Sequence, residues 1–334
     1  MAPGQLSGDF SPDLVIPFKL GRDDVMAALK DHYKGKILLP KSFVTGNHID
    51  EVQGVYVPFW LYAPALTAKC ALTRPNETVT EESDRTVTTT DHYDAYRKGN
   101  ISFERVPVDG SSKMPDGHMD AIEPFDYDAL RPFSVAYMPG YIANRYDEDC
   151  ETCKARAERR MEESTISALR ETVVDEYDDA TVENKQLDYT WEESDYALFP
   201  VWMLSTSWNG KSYLFAMNGQ TGRMVGELPC SKPKLAIASV LFFVIGFVLS
   251  QILFMGENAF DPDYLAFDVE GILINIVAPL IIVIIADVLL VGQLKTANEA
   301  IHADCYCGEL DLTEKHDTFS HTETTVVMKD NKDD

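Results

Sequence analysis

Basic residues are scarce in this 334-residue chain: 29 Lys and Arg stand against 54 Asp and Glu, a formal net charge of −25. Phosphate backbones and anionic headgroups reward cationic patches, so the charge argues against unaided binding to nucleic acid or to anionic lipid headgroups. The N-terminal MAPGQLSGDF holds no apolar core and does not read as a signal peptide. The histidines (32, 48, 92, 118, 302, 316 and 321) show no metal-ligand spacing, and no Ser/His/Asp arrangement is evident. A nucleotide-binding loop is also missing. Gly210-Lys211-Ser212 ends like one, yet Ser205 stands where the first glycine is required, and the context is a hairpin. What remains, 45 % apolar and 25 % charged, is the composition of a folded protein.

Two long apolar blocks are present. Leu235 to Met255 carries no charge, with only Ser239, Ser250 and Gln251 polar. At about 1.5 Å rise per residue it matches the roughly 30 Å hydrocarbon core of a bilayer. Ile272 to Leu294 is as long and contains Asn275, Pro279 and Asp287. Both are expected to span, forming a two-helix transmembrane hairpin over 235–294 with a loop at 256–271. A buried pair of helices in a soluble core is the alternative. The loop holds Glu257, Asp261, Asp263, Asp268 and Glu270 but no Lys or Arg, whereas Arg223, Lys232, Lys234 and Lys295 flank the spans. The positive-inside rule then places the loop outside. The expectation is a multi-pass cell-membrane protein with cytoplasmic N- and C-termini and an acidic cytoplasmic tail over 295–334.

Residues 1–234 read as an α+β domain: antiparallel sheet with one long helix, or two similar halves, 1–132 and 133–234. Val25, Ala28, Leu29 and His32 fall at helical spacing from Asp23 onward. The stretches 55–72, 85–96 and 101–108 are rich in β-branched and aromatic residues, and a short helix is expected near Met119. Over 149–174, Ala157, Met161, Ser164, Ala168 and Thr172 stack on one helical face, with the AERRMEES cluster as the wet face. Asn209-Gly210 between two apolar runs suits a type I′ hairpin. GVYVPFWLYA (54–63) is echoed by YALFPVWMLS (196–205), and proline in each suggests edge strands of two similar subdomains.

Few residues point to chemistry. Cys150 and Cys153, with Cys305 and Cys307, could make a four-cysteine metal site. Alternatively, Cys150 and Cys153 extend the apolar helix face as structural thiols, and the acids around them disfavour a thiolate. Six cysteines in a reducing compartment are expected to form no disulfides. Asp287, an acid within an apolar span, is a site candidate by default, or else bonds to Ser239 or to water within the hairpin. A pocket around Trp60, Trp202 and Trp208 would suit the alternative of a membrane-bound enzyme or small-ligand-binding protein.

The runs IPFKL, HYKGKILLPKSF, NHIDEVQGVYVPFWLY, FERVPVDGSSKM, AIEPFDYDAL, YMPGYIANRYD, FPVWML, NGKSYLFAMNGQTG and VGELP extend over most of the chain. They resemble bacterial membrane proteins described as transcription-factor-IIB-type zinc-ribbon proteins and sometimes labelled primosomal helicases. Such proteins begin with two Cys-x-x-Cys pairs, and this chain starts at MAPGQLSGDF, where that ribbon would end. No family zinc ligand is therefore carried over, no cofactor is expected, and Cys150, Cys153, Cys305 and Cys307 match no such motif. Relatives occur with flotillin-like (SPFH) and phage-shock-protein-A-like scaffolds. The resemblance thus implies a non-enzymatic adaptor that recruits proteins to the membrane. The partners expected are the bilayer, those scaffolds and, for any transport role, further copies of the chain, since two helices are too few alone.

Overall fold

Val55, Val57, Phe59 and Leu61 alternate along one strand, and Ala197, Phe199 and Val201 along its neighbour, so that pairing the two places all seven in one buried cluster. The computed structural model describes residues 11–46, 49–174, 180–250, 252, 273–295 and 302–328. In chain order it contains β1 (Leu14–Val15), α1 (Arg22–His32), α2 (Lys41–Gly46), β2 (Ile49–Tyr62), β3 (Ala65–Glu81), β4 (Arg85–Ser102), β5 (Val106–Asp109) and α3 (Asp116–Ala121). Then follow β6 (Arg131–Pro132), β7 (Ile142–Ala143), α4 (Cys150–Glu171), β8 (Thr181–Thr190), β9 (Asp195–Trp208), β10 (Lys211–Asn218) and β11 (Met224–Gly226). The last are α5 (Lys232–Ser250), α6 (Ala278–Gly292) and β12 (Asp311–Met328).

The first sheet has eight strands with β2 and β9 antiparallel at its centre. The proline-bearing segments are thus paired to each other, not placed at the edges of separate subdomains. Val57 lies opposite Phe199, Pro58 opposite Leu198 and Tyr56 opposite Pro200, so the pair is quasi-twofold about Val57–Phe199. The Pro58 and Pro200 carbonyls accept the Gly110 and Gly219 N–H groups at 2.9 Å. In a strand a residue's N–H and C=O point the same way, so both prolines turn their missing donor away from the β2–β9 ladder. β7 runs parallel to β2, and β1 parallel to β9. After β1, Lys19 and Leu20 donate to Gly219; after β7, Asp147 and Glu148 donate to Gly110. The N–H of Trp60 bonds Glu148, and that of Trp202 bonds Leu20, each at 3.0 Å. One short strand, turn, helix and long strand are therefore built twice into a single sheet.

The second sheet, in the order β12-β4-β3-β8, is antiparallel throughout. Near the body its inner face packs Ala68, Cys70, Leu72 and Ala95 against Leu169 and Val173 at the end of α4. Asp149 caps that helix, its carboxylate accepting the Thr152 N–H at 2.8 Å. β8 reaches only as far as Thr73. Beyond it β3, β4 and β12 continue as a three-stranded arm with both faces open, leaving Val79, Phe319, Val327 and Met328 more than half exposed. β12 comes from the stretch expected to be a separate acidic tail. It forms the full-length partner of β4, from Asp311 opposite Asn100 to Met328 opposite Arg85.

The fold is mixed α/β, with parallel and antiparallel pairs in one sheet, not an antiparallel α+β domain followed by a transmembrane helical hairpin. Among the described residues one helix, α5, is long and apolar enough to cross a membrane. The second apolar block breaks into a π-helical turn, Leu273–Val277, and the 15-residue α6, with Pro279 at its start. At about 1.5 Å per residue α6 covers roughly 22 Å, short of a bilayer core. Counting apolar residues missed this because the count ignores where the helix starts. The multi-pass assignment, with its cytoplasmic termini, falls with the hairpin. The 256–271 loop lies outside the described residues.

α6 packs on α5. A Cβ at Gly246 would stand 3.1 Å from the Pro279 Cα, so glycine permits the close approach. Both ends of this pair return to the body. Lys234 donates to the Ile37 and Leu39 carbonyls, Lys36 donates to Gln293, and Leu294 is buried against the α1 region.

Candidate functional site

The exposed arm rests on a buried mount built largely by α4. Arg156 and Arg160, one turn apart, point inward together with Cys153, Ala157 and Met161. Arg156 Nη2 lies 2.5 Å from Asp120 Oδ1 and 2.8 Å from Asp109 Oδ1, and Nη1 lies 3.3 Å from Asp116. Arg160 forks onto Glu123 at 2.7 and 3.1 Å and donates to the Pro107 carbonyl at 2.7 Å. The Tyr306 hydroxyl donates to the same Glu123 at 2.9 Å. Burial pushes the Asp109 carboxyl up to about 7 against the pull of Arg156. Burial also lifts Glu123, with Arg160 and Tyr306 pulling it back. Such a network is costly to open, because each charge removed leaves its partner buried and unpaired.

The mount grips the segment leading into β12. Ser164 donates to Asp304 at 2.5 Å and accepts the Ala303 N–H at 2.7 Å. Arg97 on β4, 1 % exposed, bonds Thr172 at the end of α4, the His316 carbonyl and both oxygens of Asp317 on β12. Hydrogen bonding to Arg97 holds the Asp317 carboxyl below its usual range.

The sequence-derived candidates fall elsewhere. Cys150, Cys153, Cys305 and Cys307 are all free thiols. They form no ligand cluster: among the described residues the grouping of three or more His, Cys or acidic donor atoms is His92, His321 and Glu323. Burial, with Glu148 and Asp109 nearby, pushes the Cys153 thiol up to about 12, so it stays protonated. Asp287 Oδ2 accepts the Ser239 hydroxyl at 2.7 Å between α5 and α6. Trp60 and Trp202 belong to different copies of the repeat and are closed by main-chain carbonyls, while Trp208 packs edge-on to Phe43 at 5.8 Å. The sequence reading missed the mount because it assigned AERRMEES to solvent. Arg160, between Ala157 and Met161 on the buried side, carried the available signal.

Over 234 residues the chain is 35 % identical to YdjG of Bacillus subtilis strain 168, an uncharacterised protein, covering 70 % of this chain and 68 % of that one. The chain belongs to the YdjG family. No family profile and no solved structure matches it. The YdjG name attaches no activity to the family.

Proposed function

We propose that this YdjG-family protein is a non-enzymatic adaptor, docking partner proteins on its three-stranded arm while its apolar helices contact lipid. The observation that carries this reading is the arm. Beyond Thr73 it extends past the body with β3 and β12 as edges, and its strands are rich in Thr and Val. Unpaired edges of that composition accept an added strand from another chain. The buried mount supports the reading too, since a docking arm has to be held firmly at its base. For lipid contact, α5 and α6 turn Ile237, Val240, Ile284 and Val288 outward, each more than 60 % exposed. An apolar surface of that kind needs cover. By the zinc-ribbon-family resemblance, the partners to seek are SPFH-type and phage-shock-protein-A-like scaffolds.

The test is an affinity pull-down of tagged full-length protein from mild-detergent membranes. Stoichiometric recovery of a membrane-scaffold protein is expected, lost when Thr324→Lys and Val326→Lys place charges on the β12 edge. Recovery of the protein alone, or of a scaffold equally well with the substituted arm, overturns the reading.

A further inference from the structure

The arm brings together three side chains that nothing so far employs. His92 on β4 and His321 on β12 lie directly opposite each other. A bulge between Phe319 and His321 creates that pairing: without the extra residue, Ser320 would face His92. The two imidazole rings stack at 4.5 Å between centroids, 8° from parallel. Glu323, two residues along β12 and so on the same face, places one oxygen 3.8 Å from His92 Nε2 and the other 3.7 Å from His321 Nε2. The three donor atoms all lie within 4.8 Å of one another. His92 Nε2 is shielded from solvent and has no hydrogen-bond partner. His321 uses Nδ1 toward Ser320 at 3.4 Å, which leaves Nε2 for another contact.

Zinc–nitrogen and zinc–oxygen bonds of about 2.0–2.1 Å put tetrahedral ligands roughly 3.3 Å apart. The carboxylate-to-imidazole separations of 3.7 and 3.8 Å exceed this by about half an ångström, and the two stacked rings have to turn so that both Nε2 lone pairs converge on one ion. Two imidazoles and a carboxylate suit zinc and its transition-metal neighbours, not magnesium or calcium, which prefer oxygen shells. A cation at the Nε2 edges of the two rings satisfies both nitrogens and the carboxylate together, which a single shared proton does not.

We propose that His92, His321 and Glu323 bind one divalent transition-metal ion, zinc by preference, with water completing its shell. The ion staples β12 to β4 near the base of the arm. This site is unrelated to the four cysteines and does not depend on the adaptor reading.

Calorimetric titration of the chelator-stripped full-length protein in mild detergent tests it, with zinc, magnesium and cobalt as probes. One equivalent of zinc is expected to bind and magnesium none. The cobalt complex should lack thiolate charge-transfer absorption. His321→Ala should weaken zinc binding by about tenfold or more, Glu323→Gln should weaken it less, and Cys150→Ser with Cys153→Ser should leave it unchanged. His321 is more than half exposed, so its variant should fold, and circular dichroism checks that it does. Absence of saturable zinc binding, or binding indifferent to His321→Ala and Glu323→Gln, overturns the proposal.

Discussion

Arg97 and Asp317 join strands 220 residues apart in sequence, with the guanidinium sealed beneath the end of α4 and the carboxylate at its rim. The fork ties together α4, β4 and β12 through one side chain. Arg97→Lys keeps the charge and loses the planar fork, so it should cost about 2–3 kcal/mol. Amide hydrogen exchange should show the loss first along 311–328, with β2 and β9 unaffected. Uniform loosening across both sheets would contradict this.

The Asp109 carboxyl gives stability a pH dependence of defined sign. Its affinity for a proton rises from the ordinary 3.8 to about 7 on folding, so the native state holds a proton that the unfolded chain has released between those values. Stability contributed here is therefore present at acid pH and lost as pH rises through about 7, by roughly 1.4 kcal/mol per unit of displacement at most. Asp109→Asn should flatten that slope. Urea midpoints at about pH 5 and about pH 8 should converge in the variant and differ in the parent.

Glu123 and Tyr306 should respond unequally. Glu123→Gln leaves Arg160, 1 % exposed, without its forked partner, at a cost of about 3–5 kcal/mol. Tyr306→Phe removes one donor from a carboxylate that keeps Arg160 and should cost about 1 kcal/mol. Denaturant midpoints of the two variants, compared at one pH, decide between this ordering and a symmetrical one.

The repeat predicts matched effects at Trp60 and Trp202. Each indole closes on a carbonyl at the start of a helix with the same 3.0 Å bond. Trp60→Phe and Trp202→Phe should each cost about 1–3 kcal/mol. The residues pack in separate clusters, so the double variant should be nearly additive. Coupling above about 0.5 kcal/mol would show that the two copies communicate through the sheet.

Much of the local structure was legible in the sequence and little of the assembly was. Helical spacing located α1 and α4, and Asn209-Gly210 marked a turn in which both residues have positive φ, 49° and 74°. The VPFWLY and FPVWML segments were recognisable as related, but proline suggested edges. Only the pairing shows that each missing donor faces away from the central ladder. Arg160 was misplaced because charge normally marks a wet face, and the carboxylates that permit its burial come from α3 and the turn after it. His92 and His321 are invisible as a pair, since the bulge that aligns them has no fixed spacing. The second apolar block had the length for a span, but its π turn and Pro279 shorten the regular helix.

Among the described residues, β12 is the strand latest in chain order and an edge strand of the arm, and it pairs with residues made more than 200 positions earlier. Chains leave the ribosome N-terminus first, so β4 has to wait with one edge bare until α5, α6 and β12 have all been made. A chain stopped or clipped before Asp311 presents β4 as an unprotected edge, open to proteolysis and to strand addition by other chains.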